Sequence, residues 1–209
     1  MFLGSNSIMN CSKIGESRNA VEQKSVVETK LPQLEQINER LQSQFGIKQG
    51  QYFIVVNISR QELFLIKDEK VVRTYPISSS KYGTGSQAGS NKTPLGTHRI
   101  AKKTGRNAEI GKVLNYGPDR GKIAEIYTDS TNVEMDLITT RILRLEGLEE
   151  GINKGQGIDS YKRHIYVHGT QEEGLIGKPA SHGCIRMKNK DVIELFRLVS
   201  VGTLVEIQE

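Results

Sequence analysis

The stretch Tyr52–Ile77, "YFIVVNISRQELFLIKDEKVVRTYPI", decides how the rest of the chain is read. It holds three short runs rich in β-branched and aromatic residues, "YFIVVNI", "ELFLI" and "KVVRTYPI", parted by the polar groups "SRQ" and "KDEK". Runs of this length and composition between turn-forming residues predict strands joined by tight connections, a β-meander. Downstream, "DLITTRILRLEG" and "YKRHIYVHG" read as two more strands, and "GTLVEIQE" closes the chain as another. One helix interrupts them. "NKDVIELFRLV" sets Val192, Leu195, Phe196 and Val199 at helical spacing, with Asn189 as the expected N-cap. The expected fold is therefore a mainly β domain with short helices.

Upstream, "LPQLEQINERLQSQF" brings Leu34, Ile37, Leu41 and Phe45 near one helical face, with Gly46 as a stop. The division expected is a flexible tail over 1–30, an amphipathic helix and linker over 31–50, and one β domain over 51–209. A chain of 209 residues is long enough for that domain to bury a full core.

Composition excludes several roles. No run of 18 apolar residues occurs, so no membrane-spanning helix is expected. The charge of +5 comes from 29 bases scattered among 24 acids, with no basic run or aromatic platform, which argues against nucleic-acid binding. The polar loop "SSSKYGTGSQAGSNKTPLGTHRI" is not a phosphate cradle: Asn91 stands where a P-loop has glycine before Lys-Thr, and Pro94 and Gly96 follow at once. It reads as a connection shaping a cleft. At the N-terminus, Ser5, Asn6, Ser7 and Asn10 break the only apolar stretch that could direct export, and no basic residue precedes Lys13. The expectation is a cytoplasmic protein, or a periplasmic or wall-associated one if the natural N-terminus differs. The two cysteines, Cys11 and Cys184, are far apart, so no structural disulfide is expected.

The chemistry concentrates in "HIYVHGTQEEGLIGKPASHGCIRM". Strand alternation puts Ile165 and Val167 on one face and His164, Tyr166 and His168 on the other. Glycines at 174 and 177 and Pro179 let the loop after His168 double back toward Cys184. Three readings of Cys184 compete. It could be a small buried hydrophobe, though Ser181, His182, Gly183 and Arg186 make a poor core segment. It could join His164, His168 and His182 around a metal, but the spacings that mark zinc sites are absent. It could be a nucleophile with an imidazole that lowers its pKa and carries its proton, Gly183 freeing backbone amides for an oxyanion.

The segment resembles the L,D-transpeptidase family, the YkuD-type catalytic domain of peptidoglycan enzymes. The family pattern, His-Gly followed by [Ser/Thr]-His-Gly-Cys-x-[Asn/Arg], is matched by His168-Gly169 and by Ser181-His182-Gly183-Cys184-Ile185-Arg186. "NKTPLGTHRI" is similar to the family's T-P-x-G loop. The resemblance covers about Gln51 to Ile207 and implies a β-sandwich-like domain. It implies Cys184 as nucleophile, His168 as proton acceptor, and the Gly169 carbonyl orienting that histidine. It further implies an oxyanion hole from amides near His182, Gly183 and Cys184, a supporting role for Ser181, and Arg186 holding a substrate carboxylate. No cofactor or metal is implied. Partners would be peptidoglycan stem peptides or muropeptides, with carbapenem β-lactams as covalent inhibitors. The implied reaction attacks the diamino acid–D-Ala bond and passes the acyl group to an amine or, in an L,D-carboxypeptidase, to water. A binding module without catalysis is the rival from another class, and an intact Cys184–His168 pair speaks against it.

Overall fold

The computed structural model describes residue 1 and residues 34–114, 117–133 and 135–209. The expected tail and Cys11 lie outside the described residues. Eight strands and two α-helices follow in the order α1 (Leu34–Phe45), β1 (Tyr52–Asn57), β2 (Glu62–Lys67), β3 (Lys70–Ser78), β4 (Gly96–Thr104), β5 (Ile138–Gly147), β6 (Tyr166–Thr170), β7 (Ile185–Met187), α2 (Asn189–Leu198) and β8 (Leu204–Gln208). The mainly β expectation holds. All eight strands form one closed sheet in the order β1-β2-β3-β7-β6-β5-β4-β8, so the sheet has no open edge. Neighbours are antiparallel except β1–β8 and β6–β7, which are parallel.

The meander read from Tyr52–Ile77 forms as expected. Strands β1 and β2 pair from Tyr52↔Lys67 to Asn57↔Glu62. The β2–β3 turn has only Asp68 and Glu69 between the paired Lys67 and Lys70, both with φ near +50 to +60°. That is the primed geometry that suits a two-residue hairpin. Neither residue is glycine, and outside partners hold them: Gly50 N donates to Asp68 Oδ1 at 2.6 Å and Asn38 Nδ2 to Glu69 Oε1 at 2.7 Å.

Strands β1 and β2 are apolar throughout because both their faces are covered. Ile54, Val56, Leu63 and Leu65 join a cluster with Val167, Ile185, Met187 and the α2 residues Val192, Leu195 and Phe196. Phe53, Val55, Phe64, Ile66 and Leu204 face the other way, onto Ile37 and Leu41 of α1. Burying each such side chain stabilises the fold by roughly 1.5–3 kcal/mol. Polar groups also fasten α1: Arg40 meets Glu206 at 2.6 Å and Glu149 at 3.3 Å, and donates to Thr97 Oγ1 at 2.9 Å.

Two strands differ from expectation. The polar connection ends at Leu95 rather than running through Ile100, because β4 starts at Gly96. Its buried positions include the polar Thr97 and His98, on opposite faces of the strand, which hides it from an apolar-pattern reading. Strand β7 has only three residues, too few to carry a pattern. Asn189 is also not the N-cap. Lys188 holds that place without a side-chain capping bond, and Asn189 is the first helical residue. No helix among the described residues is long and apolar enough to cross a membrane.

Candidate active site

The parallel pair β6–β7 builds the site. Val167 pairs with Ile185 and His168 with Arg186. Facing residues of a parallel pair point the same way, so Val167, Ile185 and Met187 enter the core while His168 and Arg186 share the opposite face. Carried back by two residues, the same register brings Cys184 beside Tyr166, on the face of His168. Cys184 is half-buried as a residue, and its thiol donates to the His164 carbonyl at 3.4 Å.

His168 is 1% exposed, and its Nδ1 lies 2.7 Å from Gly169 O. A carbonyl oxygen can only accept, so Nδ1 carries the hydrogen and Nε2 is left as the basic nitrogen. Burial pulls the His168 pKa below its usual value, partly opposed by Asp136 and the Gly169 hydrogen bond, so the ring is neutral near pH 7.

Gly169 has a packing reason to be glycine. A Cβ there would sit 2.6 Å from Asn189 Oδ1 and 2.8 Å from Thr139 O. Asn189 is fully buried and tied down on all sides. It receives hydrogen bonds from Thr139 at 2.7 Å and Thr140 at 2.5 Å, and gives them to Thr170 O at 2.8 Å and Glu173 at 2.7 Å. Opposite His168-Gly169, the β5 register shifts between Thr139 and Ile142, and Thr140 adopts φ +66°. This bulge next to the site turns the Thr140 hydroxyl onto Asn189.

The turn carrying the thiol is braced from within. The Ser181 hydroxyl donates to Cys184 O at 2.6 Å and accepts from Gly183 N at 3.2 Å. Ser181 N and O also bond Ser79 O and Lys81 N, which seats the turn against the end of β3. Gly183 has φ +119°, and a Cβ would press on Lys92 O at 3.3 Å. Any other residue would strain the backbone beside the thiol. His182 is exposed, leans on the Tyr82 ring with centroids 5.8 Å apart, and meets Asp136 Oδ2 at 3.2 Å.

Two expectations change. The imidazole was expected to lower the thiol pKa. Instead burial dominates and pushes Cys184 up to about 12; the Tyr166 backbone hydrogen bond and the Arg186 and Arg163 charges offset only part of this, and Asp136 adds to the rise. The resting pair is therefore thiol and neutral imidazole. Arg186, expected to hold a substrate carboxylate, is itself sealed in. Its side chain is 2% exposed, with Nη1 2.6 Å from Glu172 and Nη2 2.6 Å from Asp136. Both acids engage the two Nη groups from the protein side, while the buried Nε has no hydrogen-bond partner among the described residues.

Asp136, Glu172 and Asn189 were not picked out as site residues. Asp136 links Arg186 to His182, and burial, the largest influence, disfavours its charge. Arg186, His168 and the hydrogen bonds from Arg186 and His182 nevertheless hold its carboxyl below the usual range. It arrives on a segment that runs over the site face, held by Tyr127 N to Gln171 O at 2.8 Å, Val133 N to Glu172 Oε1 at 2.7 Å and Gln171 Nε2 to Met135 O at 2.6 Å. Lone acids in polar stretches carry no spacing signal. Only the rule that a buried arginine needs carboxylates would have prompted a search for them. Among the described residues, no group of three His, Cys, Asp or Glu side chains could hold a metal ion.

The family model of the L,D-transpeptidase catalytic domain, YkuD, matches residues 51–207. The YkuD protein of Bacillus licheniformis is 52% identical over 156 residues, and that of Bacillus subtilis strain 168 is 30% identical over 156 residues. Each alignment covers 75% of this chain and 65% of the relative, so the chain spans about two thirds of the length of these relatives. A solved L,D-transpeptidase from Mycobacterium smegmatis is 19% identical with a TM-score of 0.47, covering 76% of this chain and 58% of that one.

Proposed function

The chain belongs to the family of L,D-transpeptidase catalytic domains, and from that premise we propose that it is a cysteine acyltransferase acting on peptidoglycan stem peptides. The observation that carries the reading is the His168 Nδ1–Gly169 O hydrogen bond, which fixes the tautomer with Nε2 basic. Cys184 stands on the same face of the paired strands.

In this mechanism Nε2 of His168 takes the thiol proton as the sulfur attacks the carbonyl of the third stem residue, a diamino acid. Charge builds on the carbonyl oxygen. Gly183 N–H is already engaged by Ser181, so the amides of His182 and Cys184 are assigned to the oxyanion. Collapse breaks the bond to the fourth residue, D-Ala, whose nitrogen leaves with the proton from the imidazolium. The thioester on Cys184 is then attacked by an amine of a second stem peptide, which returns the free thiol and makes a 3–3 cross-link. Arg186 takes no part in binding. With Asp136 and Glu172 it forms the floor beneath His168 and His182.

The test incubates the protein with a disaccharide-tetrapeptide, with and without a second stem peptide, and reads products by mass spectrometry. D-Ala release with dimer supports the transferase. D-Ala release giving only tripeptide shows that water is the acceptor. Absence of D-Ala release under both conditions overturns the reading. A carbapenem supplies a second readout: one adduct on the wild type and none on Cys184→Ala.

A further inference from the structure

With Arg186 buried against two acids, the site needs another cation if its substrate carries a carboxylate next to the scissile bond. A pocket of about 420 Å³ opens beside the thiol turn, lined in part by Asn91, Asp159, Lys162, Arg163, Ile165 and His182. Ile165 Cδ1 and Asn91 O lie 3.5 and 3.6 Å from the Cβ position of Gly183, so the pocket borders the residue before the nucleophile. The charge of Arg163 is felt at the Cys184 sulfur.

Arg163 is held in place there. It donates from Nη2 to Lys92 O at 2.7 Å and from Nη1 to Gly85 O at 3.2 Å. A guanidinium has five N–H groups, so these two bonds fix its plane and still leave donor capacity. Lys162 beside it is exposed. The acid in the lining, Asp159, is partly committed: its Oδ1 accepts from Lys162 N at 2.9 Å. The pocket wall next to the thiol is thus positively biased.

We infer that Arg163 and Lys162 are the residues that bind the free carboxylate of the expelled residue. That carboxylate lies two bonds past the scissile nitrogen, within reach of a cation beside the nucleophile. A longer peptide has an amide at this point and brings no charge to the guanidinium. The inference rests on the acyl-transfer reading above and adds its specificity.

The test compares release of the fourth residue from a free-acid tetrapeptide and from its C-terminal carboxamide, using the full chain. The wild type is expected to favour the acid by roughly 10- to 100-fold in kcat/KM, the range of a charge-assisted hydrogen bond. In Arg163→Gln this ratio collapses toward one; Arg163→Lys keeps part of it, and Lys162→Gln lowers it. Alkylation of Cys184 by neutral iodoacetamide, read on the same samples, separates a damaged thiol turn from lost carboxylate recognition. Lys162 is exposed, so its variant stays informative if Arg163→Gln does not fold. Equal rates on acid and amide in the wild type, or a ratio retained in both glutamine variants, overturn the inference and leave acyl transfer standing. A wild type that releases the residue from neither peptide overturns both.

Discussion

The Nδ1–H of His168 is bound by the carbonyl of the next residue in the same strand, Gly169, at 2.7 Å. The orienting partner of the proposed base is therefore backbone, and no side-chain substitution can remove it. The first prediction follows. Cys184→Ala abolishes D-Ala release with little change in melting temperature, and His168→Ala lowers kcat by about 10²- to 10⁴-fold. Steady-state kinetics beside thermal melts check both; turnover by Cys184→Ala would refute the nucleophile.

The thiol and imidazole titrate in a way that can be read directly. With Cys184 pushed up to about 12, its alkylation by iodoacetamide, followed in a Cys11→Ser background, rises about tenfold per pH unit from pH 7 to 10. A plateau near pH 8.5 would mean an ordinary thiol. The lowered His168 places the acid limb of turnover below pH 6.5.

His98 governs acid stability. It is fully buried, with Nδ1 2.9 Å from Gly96 O and Nε2 2.9 Å from Ser160 Oγ, and burial lowers its pKa to about 4. The unfolded chain takes up the proton first, near pH 6.5. Stability is therefore full above pH 6.5, declines as pH falls, and has lost about 3 kcal/mol from this group once pH is below 4. Chemical denaturation at stepped pH checks this. His98→Gln removes this group's part of the slope and leaves the same-sign part from His168.

Gly169→Ala tests the packing behind the base. The added methyl meets Asn189 and Thr139, neither free to retreat. The expected cost is about 1–3 kcal/mol, with a fall in kcat larger than the stability loss explains, since β6 must shift and His168 shifts with it. Full activity in this variant would show that the site tolerates movement of the strand.

How much of this was legible in the sequence differs by element. The meander and both helices announced themselves because their side chains repeat at a fixed period. His168, Cys184 and their glycines were legible as a spaced motif. Strand β4 was not, since Thr97 and His98, one on each of its faces, are polar groups buried with partners. The commitment of Arg186 was equally hidden: Asp136 and Glu172 reach it from separate segments, and only the folded chain brings them together.

Helix α1 lies outside the residues that match the family, yet it covers Phe53, Val55, Phe64, Ile66 and Leu204 and neutralises Glu206 through Arg40. The border of the recognisable catalytic region and the border of the self-sufficient folding unit therefore fall at different residues. A polypeptide begun at residue 51 would retain every motif position but show a greasy flank with a stranded carboxylate in it. Such a surface invites self-association. Expression trimmed to the homologous segment would be expected to yield aggregates, and any N-terminal cut should fall upstream of Leu34.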